Sequence, residues 1–432
     1  MKRKKIHLSR FLCILAALCA FSALLLSGCA STEEWARITI EQNYYRFDGD
    51  YSSLSDLKGL SVGQMVEKLD KYSAYYTREE YAAVTAENAG SRSGIGVTYT
   101  YSEGNGILLH SVVGNSPARK AGLKAGDILV SASVGENKVQ FTASDDFSTF
   151  VNARATGEKF TLNLKDDSSV TLAKANYTAS YVSMYTGDCA YEIEYNGNKL
   201  EVKEYGGGIP QLPEDTAYIY LSQFYGGAAD EMAQLIRKFN EKGCTTLVLD
   251  LRDDGGGYVD LMARIGGRFT SEVQANAIAV KAIYKSGRQE VAYCYNYSKD
   301  TVPAGTSVYV MANNNTASAS EALIGVLVSY KILKYENIFL SQYEGQIAKS
   351  YGKGIMQSTF THRTGNVLKL TVAGIYWAMK DADGNQVTIH DKGLTVADGC
   401  NVAPASDAIV NIGYDDELEA VISKIIADRA QN

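Results

Sequence analysis

The sequence predicts a layered α/β fold, on three observations. From Thr216 onward, strand-like apolar runs alternate with amphipathic helical runs, the arrangement of a sheet covered by helices. One of them, Thr245–Leu251, reads as a continuous apolar strand, as parallel strands buried on both faces do. Two strand-to-helix joints, Arg252-Asp-Asp-Gly-Gly-Gly-Tyr258 and Ala312-Asn-Asn-Asn-Thr-Ala-Ser-Ala-Ser320, are built of glycine, small and short polar residues.

At 432 residues the chain allows two or three domains. Its start is a targeting segment. Lys2, Arg3, Lys4, Lys5 and Arg10 precede an apolar stretch from Phe11 to Leu26, which is the layout of a secretory signal. The ending Leu26-Ser27-Gly28-Cys29 resembles a bacterial lipobox, in which the cysteine becomes the lipidated first residue. Residues 1–28 are therefore expected to be a lipoprotein signal peptide, with Cys29 lipidated and the body held at a membrane outside the cytoplasm. Removing 1–28 takes away five basic residues and no acidic ones, moving the formal charge from −7 to about −12. That acidity argues against a nucleic-acid partner. Cys189, Cys244, Cys294 and Cys400 are widely scattered and form no C-x-x-C pair, so no metal site is expected.

Residues 29–90 read as a mostly helical region. Helices are expected at Val62–Leu69 and Arg78–Ala89, and residues 70–77 as a turn ending in a cap at Thr77. A packing or dimerising role suits this region, and self-association of the whole protein stays open.

Residues 91–180 change character. Gly94-Ile95-Gly96 precedes an alternating strand, and Gly106–Val113 is a second strand. In Ser116-Pro-Ala-Arg-Lys-Ala-Gly-Leu-Lys-Ala-Gly-Asp127, Ser116 caps a short helix with Pro117 at its first position and Gly122 at its end. The run resembles a PDZ domain of the protease-associated type. The resemblance implies that Gly94, Ile95 and Gly96 present backbone N–H groups to a peptide C-terminal carboxylate, the peptide adding as a strand beside the one that follows.

Residues 181–400 carry the α/β pattern. Strands are expected at Ala190–Tyr195, Leu200–Tyr205, Ala217–Leu221, Thr245–Leu251, Val308–Ala312, Leu368–Tyr376 and Val387–His390. Helices are expected at Ala228–Lys242, Val259–Phe269 and Glu321–Val328. Residues 401–432 form a C-terminal segment with a helix at Glu417–Ala430.

A serine at a helix start lies near backbone N–H groups that can stabilise an oxyanion, which singles out Ser318. A nucleophilic serine also needs a base. His110, His362 and His390 carry no distinguishing signal, and Lys353 lies between two glycines in Tyr351-Gly-Lys-Gly-Ile-Met-Gln357. A lysine in an apolar pocket can serve as base. Helical residues turn about 100° each, so Ser318 and Ser320, if both helical, point apart, and Thr316 and Ser320 suit capping or packing. Glu321 is expected in the first helical turn, where its charge suits the dipole.

With these motifs the chain resembles the C-terminal processing, or tail-specific, serine peptidases over roughly residues 60–400. That family joins a PDZ domain to a core related to the crotonase and ClpP folds. The family's S-A-S-A-S-E reads Thr316-Ala-Ser-Ala-Ser-Glu321 here, which implies Ser318 as nucleophile. Its F-G-K-G-x-x-Q implies Lys353 as general base and Gln357 as the residue orienting it. Its L-R-x-N-P-G-G turn falls on Leu251–Gly257 and implies an oxyanion hole from Gly256 or Gly257 together with Ala319.

The chain departs from the pattern in three places. Ser318 and Lys353 stand 35 positions apart, with Glu336–Gln346 as the extra stretch and Lys349 as a rival base. Asp254 and Gly255 replace the asparagine and proline of the turn. The closing motif reads Gly393-Leu-Thr-Val-Ala-Asp398, without its proline.

The function implied is a membrane-anchored, cofactor-independent endopeptidase acting on the C-terminal region of exported proteins through an acyl-enzyme. The alternative is an inactive lipoprotein that binds peptide tails on the same scaffold. Acyl-CoA chemistry of the crotonase type fits poorly with a secretory signal.

Overall fold

The computed structural model describes residues 31–197, 199–405 and 414–431; the expected signal peptide and Cys29 lie outside the described residues. The chain divides into two compact units. One takes the residues up to Ala83 together with Ile283–Gln289 and Ile355–Gly374, and the other takes the remainder.

In the first unit, Ser31 caps the helix Thr32–Asn43 by accepting the Glu34 N–H, and Ser61 and Gln64 form a reciprocal capping box on Val62–Val66. Trp35 packs on the His362 ring at 5.0 Å between centroids. Residues 74–76, expected within a turn, instead form a strand paired antiparallel with Val367–Lys369. Two tyrosines suit a strand, but the partner lies almost 300 residues away and no local signal announces it. Thr77 does cap the following helix, exchanging hydrogen bonds with Glu80. Gln357 stands on Ile355–Thr361, which pairs with the other side of the 367–374 strand.

The second unit is built on an eight-stranded sheet. Its strands are β1 (Val182–Tyr185), β2 (Cys189–Asn196), β3 (Lys199–Gly206), β4 (Thr216–Leu221), β5 (Thr246–Asp250), β6 (Ser307–Ala312), β7 (Ile338–Gln342) and β8 (Asn401–Pro404). Their spatial order is β3-β2-β1-β4-β5-β6-β7-β8, and β4 to β8 run parallel. Helices α1 (Ala228–Glu241), α2 (Val259–Thr270) and α3 (Ala319–Ser329) share one apolar core with the sheet. Helix α4 (Asp416–Gln431) closes the other face through Leu418, Val421, Ile422 and Ile425. Parallel strands joined by helices put the β5 and β6 joints at one end of the sheet, where α/β ligand sites form.

Three expectations change. The stretch Glu336–Gln346 is no simple surface loop: it holds β7, whose Ile338, Phe339 and Leu340 are buried beside β6. Val387–His390 forms no strand, though Trp377 N–H bonds Val387 O. Helix α3 begins at Ala319, two residues before the expected start.

Between Ser91 and Thr178 an inserted β domain has its own core, with Ile107, Leu129, Phe147, Phe160 and Leu162 buried. Its strands Ser91–Gly94 and Ala175–Thr178 pair as a neck. The Arg119 Nε donates to Glu192 on β2 at 2.5 Å, joining domain to sheet. Arg252, fully buried after β5, bonds Asp250, Asp415 and Glu417 and so ties the start of α4 to the β5 end.

Candidate active site

The site lies where the joint after β5 meets the joint after β6. The two are laced together. Asn313 Nδ2 and Asn315 Nδ2 both donate to Asp253 Oδ1, at 2.8 and 2.9 Å. Thr316 Oγ1 donates to Leu251 O, and Ser320 Oγ donates to Asp254 O at 2.8 Å. The small hydroxyl residues around Ser318 therefore staple one turn to the other.

Ser318 is the residue before α3, half-buried, with φ 60° and ψ −113°. It is not helical, so the projection of Ser318 and Ser320 along one helix does not apply. A non-glycine residue in this region costs on the order of 1–3 kcal/mol and persists only where its surroundings hold it. Glu321 does the holding. Its carboxylate is fully buried and accepts the Ser318 N–H at 3.0 Å.

The same carboxylate reaches the segment that bears the candidate lysines. Its oxygens accept the Lys353 N–H at 2.9 Å, the Gly352 N–H at 2.8 Å and the Ser350 hydroxyl at 2.5 Å. Because the Ser318 and Lys353 amides bind one and the same oxygen, their nitrogens lie within about 6 Å of each other. The 35-residue separation is thus closed in space, and β7 occupies the interval without displacing the lysine. Burial pushes the Glu321 carboxyl up, while its four donors pull it down. Sequence reasoning gave Glu321 to the helix dipole and missed this role, because its partners come from beyond β7.

Lys353 is half-buried. Around it, Tyr351 N–H bonds Thr316 O, Asp391 N–H bonds Gly352 O, and Ile375 N–H bonds Gly354 O. Lys349 sits outside that knot and bridges Thr395 instead. His390 packs its backbone against Gly354, where a Cβ would come within 2.9 Å of the His390 nitrogen. His110 meets Thr100 in the inserted domain, and His362 belongs to the first unit with Thr364 beside it. Gln357 also belongs to the first unit, where its Nε2 donates to Thr371 Oγ1 at 3.1 Å.

Gly256 crosses Ser318 at close quarters. Its φ is +96°, and a Cβ there would meet Ala317 O, Ser318 Cβ and Ala319 N, each at 2.8 Å, so only glycine fits. Its N–H donates to Asp254 Oδ1 at 2.8 Å and its carbonyl accepts Phe224 N–H. The amides that bond no described residue are those of Gly257, whose φ is +149°, and Ala319, at the first turn of α3.

Asp254 is fully buried. Its Oδ1 takes the Gly256 N–H, and its Oδ2 has no hydrogen-bond partner among the described residues. Burial pushes this carboxyl well above the usual range.

In the inserted domain, Ile95 O and Gly96 O accept the N–H groups of Ala118 and Val113. Val97–Ser102 forms one edge of the domain's sheet. A cavity of about 200 Å³ lies between this domain and the sheet, lined by Arg92, Gly114, Arg119, Ser180, Glu192 and Gln223 among others. Among the described residues no cluster of His, Cys, Asp or Glu is placed to hold a metal, and the four cysteines are free thiols.

The sequence profile of Peptidase family S41 matches residues 215–394, the segment that contains both joints and the 350–354 knot. A protein of Staphylococcus saprophyticus named "Probable CtpA-like serine protease" is 26% identical over 375 residues, which cover 85% of this chain and 66% of that protein. One of Staphylococcus aureus (strain COL) with the same name is 24% identical over 412 residues, covering 90% and 73%. The chain thus spans just under two-thirds of the length of the first of these relatives. A solved structure from Bacteroides fragilis NCTC 9343, provisionally assigned as an S41 protease, superposes with a TM-score of 0.59 at 16% identity, covering 91% of this chain and 97% of that one. It shares the fold.

Proposed function

Because the chain belongs to peptidase family S41 through residues 215–394, we propose that it is a serine endopeptidase with Ser318 as nucleophile and Lys353 as general base. The observation that carries this reading is the Glu321 carboxylate, which binds the backbone amides of both residues. Lys349, the rival base, has no such tie. The neutral Lys353 amine takes the Ser318 proton as Oγ attacks the peptide carbonyl. The carbonyl oxygen gains the negative charge and is met by the Gly257 and Ala319 N–H groups, since the Gly256 N–H is already bonded to Asp254. Collapse expels the amine, which receives the proton from Lys353. Water then hydrolyses the ester, with Lys353 again accepting a proton. Gln357 orients the lysine in this scheme.

The inserted β domain acts as a PDZ domain. Gly94, Ile95 and Gly96 receive the substrate's C-terminal carboxylate, and the peptide adds to the open edge of Val97–Ser102. The substrates are C-terminal regions of exported proteins, met at a membrane where lipidated Cys29 anchors the chain.

Purified protein should cleave an unfolded substrate with an apolar C-terminal tail. Ser318→Ala and Lys353→Ala should each lower kcat by about 10³-fold or more, and Lys349→Ala by far less. Equal turnover by wild type and Ser318→Ala overturns the reading.

A further inference from the structure

Asp254 presents an unusual problem for a carboxylate. It is 0% exposed. One oxygen accepts a single backbone N–H, that of Gly256, and the other has no partner among the described residues. No cation is available to it. Arg252, two residues earlier, is committed to Asp250, Asp415 and Glu417. The neighbouring Asp253 is itself acidic and holds Asn313 and Asn315. From β4 the facing titratable group is the Tyr220 phenol. Helix α3 offers Ser320, and the joint before it Ala317, both bonded to the Asp254 carbonyl rather than to the carboxyl. An isolated buried anion costs several kcal/mol and takes up a proton instead.

We propose that Asp254 is carried as a neutral carboxylic acid and serves as a positioning residue of the oxyanion turn, its protonated carboxyl doing what a side-chain amide would do. The proposal rests on the peptidase reading of this site. The Asp254 C=O takes the Gly256 N–H and so turns the next peptide, leaving the Gly257 N–H free on the side of Ser318. An ionised Asp254 would bind the same N–H but would draw water or a proton toward the turn. Gly255 adds no restraint of its own, since a Cβ there meets nothing within 4 Å.

The test has two arms. The first is denaturant unfolding of wild type and Asp254→Asn between pH 5.5 and pH 8. If the folded wild type holds a proton that the unfolded chain has released, the ratio of the two unfolding constants changes about tenfold per pH unit, in favour of the variant. A ratio independent of pH overturns the proposal. The second arm is steady-state kinetics. Asp254→Ala should lower kcat tenfold or more with KM within about twofold, the mark of an interaction made in the transition state, and Asp254→Asn should recover most of that loss. Asp254→Asn as impaired as Asp254→Ala, or Asp254→Ala unimpaired, overturns it as well. The unfolding arm stands even if Asp254→Ala fails to fold. It also stands if Ser318→Ala cleaves as fast as wild type, an outcome that removes the peptidase reading and leaves the protonation of Asp254 decided separately.

Discussion

Two buried carboxyl groups flank Ser318, and they solve burial differently. Glu321 faces four donors, three of them backbone amides, and joins Ser318 to the Gly352–Lys353 segment. Asp254 faces one. Burial pushes both upward, Asp254 well above the usual range. The difference shows that the count and aim of donors, rather than depth, decide whether a buried acid works as an anion or as a neutral group. On the Glu321 side charge gathers amides from distant segments. On the Asp254 side an uncharged acid shapes one turn.

The comparison breaks first at Glu321. Glu321→Ala leaves four donors without a partner, and should cost about 3 kcal/mol or more in urea unfolding while abolishing turnover. Gly256→Ala comes next. With φ at +96° and three atoms at 2.8 Å from the new Cβ, the turn must move off Ser318. We expect kcat to fall about 10²-fold and stability by about 1–3 kcal/mol. Amide replacements then separate the two acids by sign. Glu321→Gln puts an NH2 against N–H donors and should lose about 2 kcal/mol. Asp254→Asn should gain on wild type as pH rises. Asp254 titrates above its unfolded value when folded, so wild-type stability falls through that window by about 1.4 kcal/mol per pH unit, and the amide has no such loss. The smallest effect is Gly255→Ala. Its φ is not positive and its Cβ direction is open, so reduced unfolded-state entropy should add about 0.4–1 kcal/mol, read in the same unfolding assay.

Much of the core was legible. Thr246–Asp250, Ser307–Ala312 and Ala228–Glu241 fall within a residue or two of the expected strands and helix, because apolar periodicity and continuous apolar runs are local signals. Ser116 caps Pro117–Lys120 as its Ser-Pro start suggests. Less legible were elements that depend on a distant partner. Ala74–Tyr76 is a strand only because residues 367–369 offer it an edge, and Val387–His390 looked like a strand but found none to pair with. The family resemblance marked Ser318, Lys353 and the Gly256–Gly257 turn, yet could not choose between the two glycines. The Gly256–Asp254 hydrogen bond makes that choice.

What the sequence determined by itself is what neighbouring residues can encode: the α/β alternation, the small-residue turns, and a serine placed before a helix. What only the tertiary structure decided is the meeting of segments. β7 fills the long interval between Ser318 and Lys353, and the Glu321 carboxylate draws both amides to one oxygen. A buried charge must collect its donors from wherever the fold delivers them, and that delivery is not written in the spacing of residues along the chain.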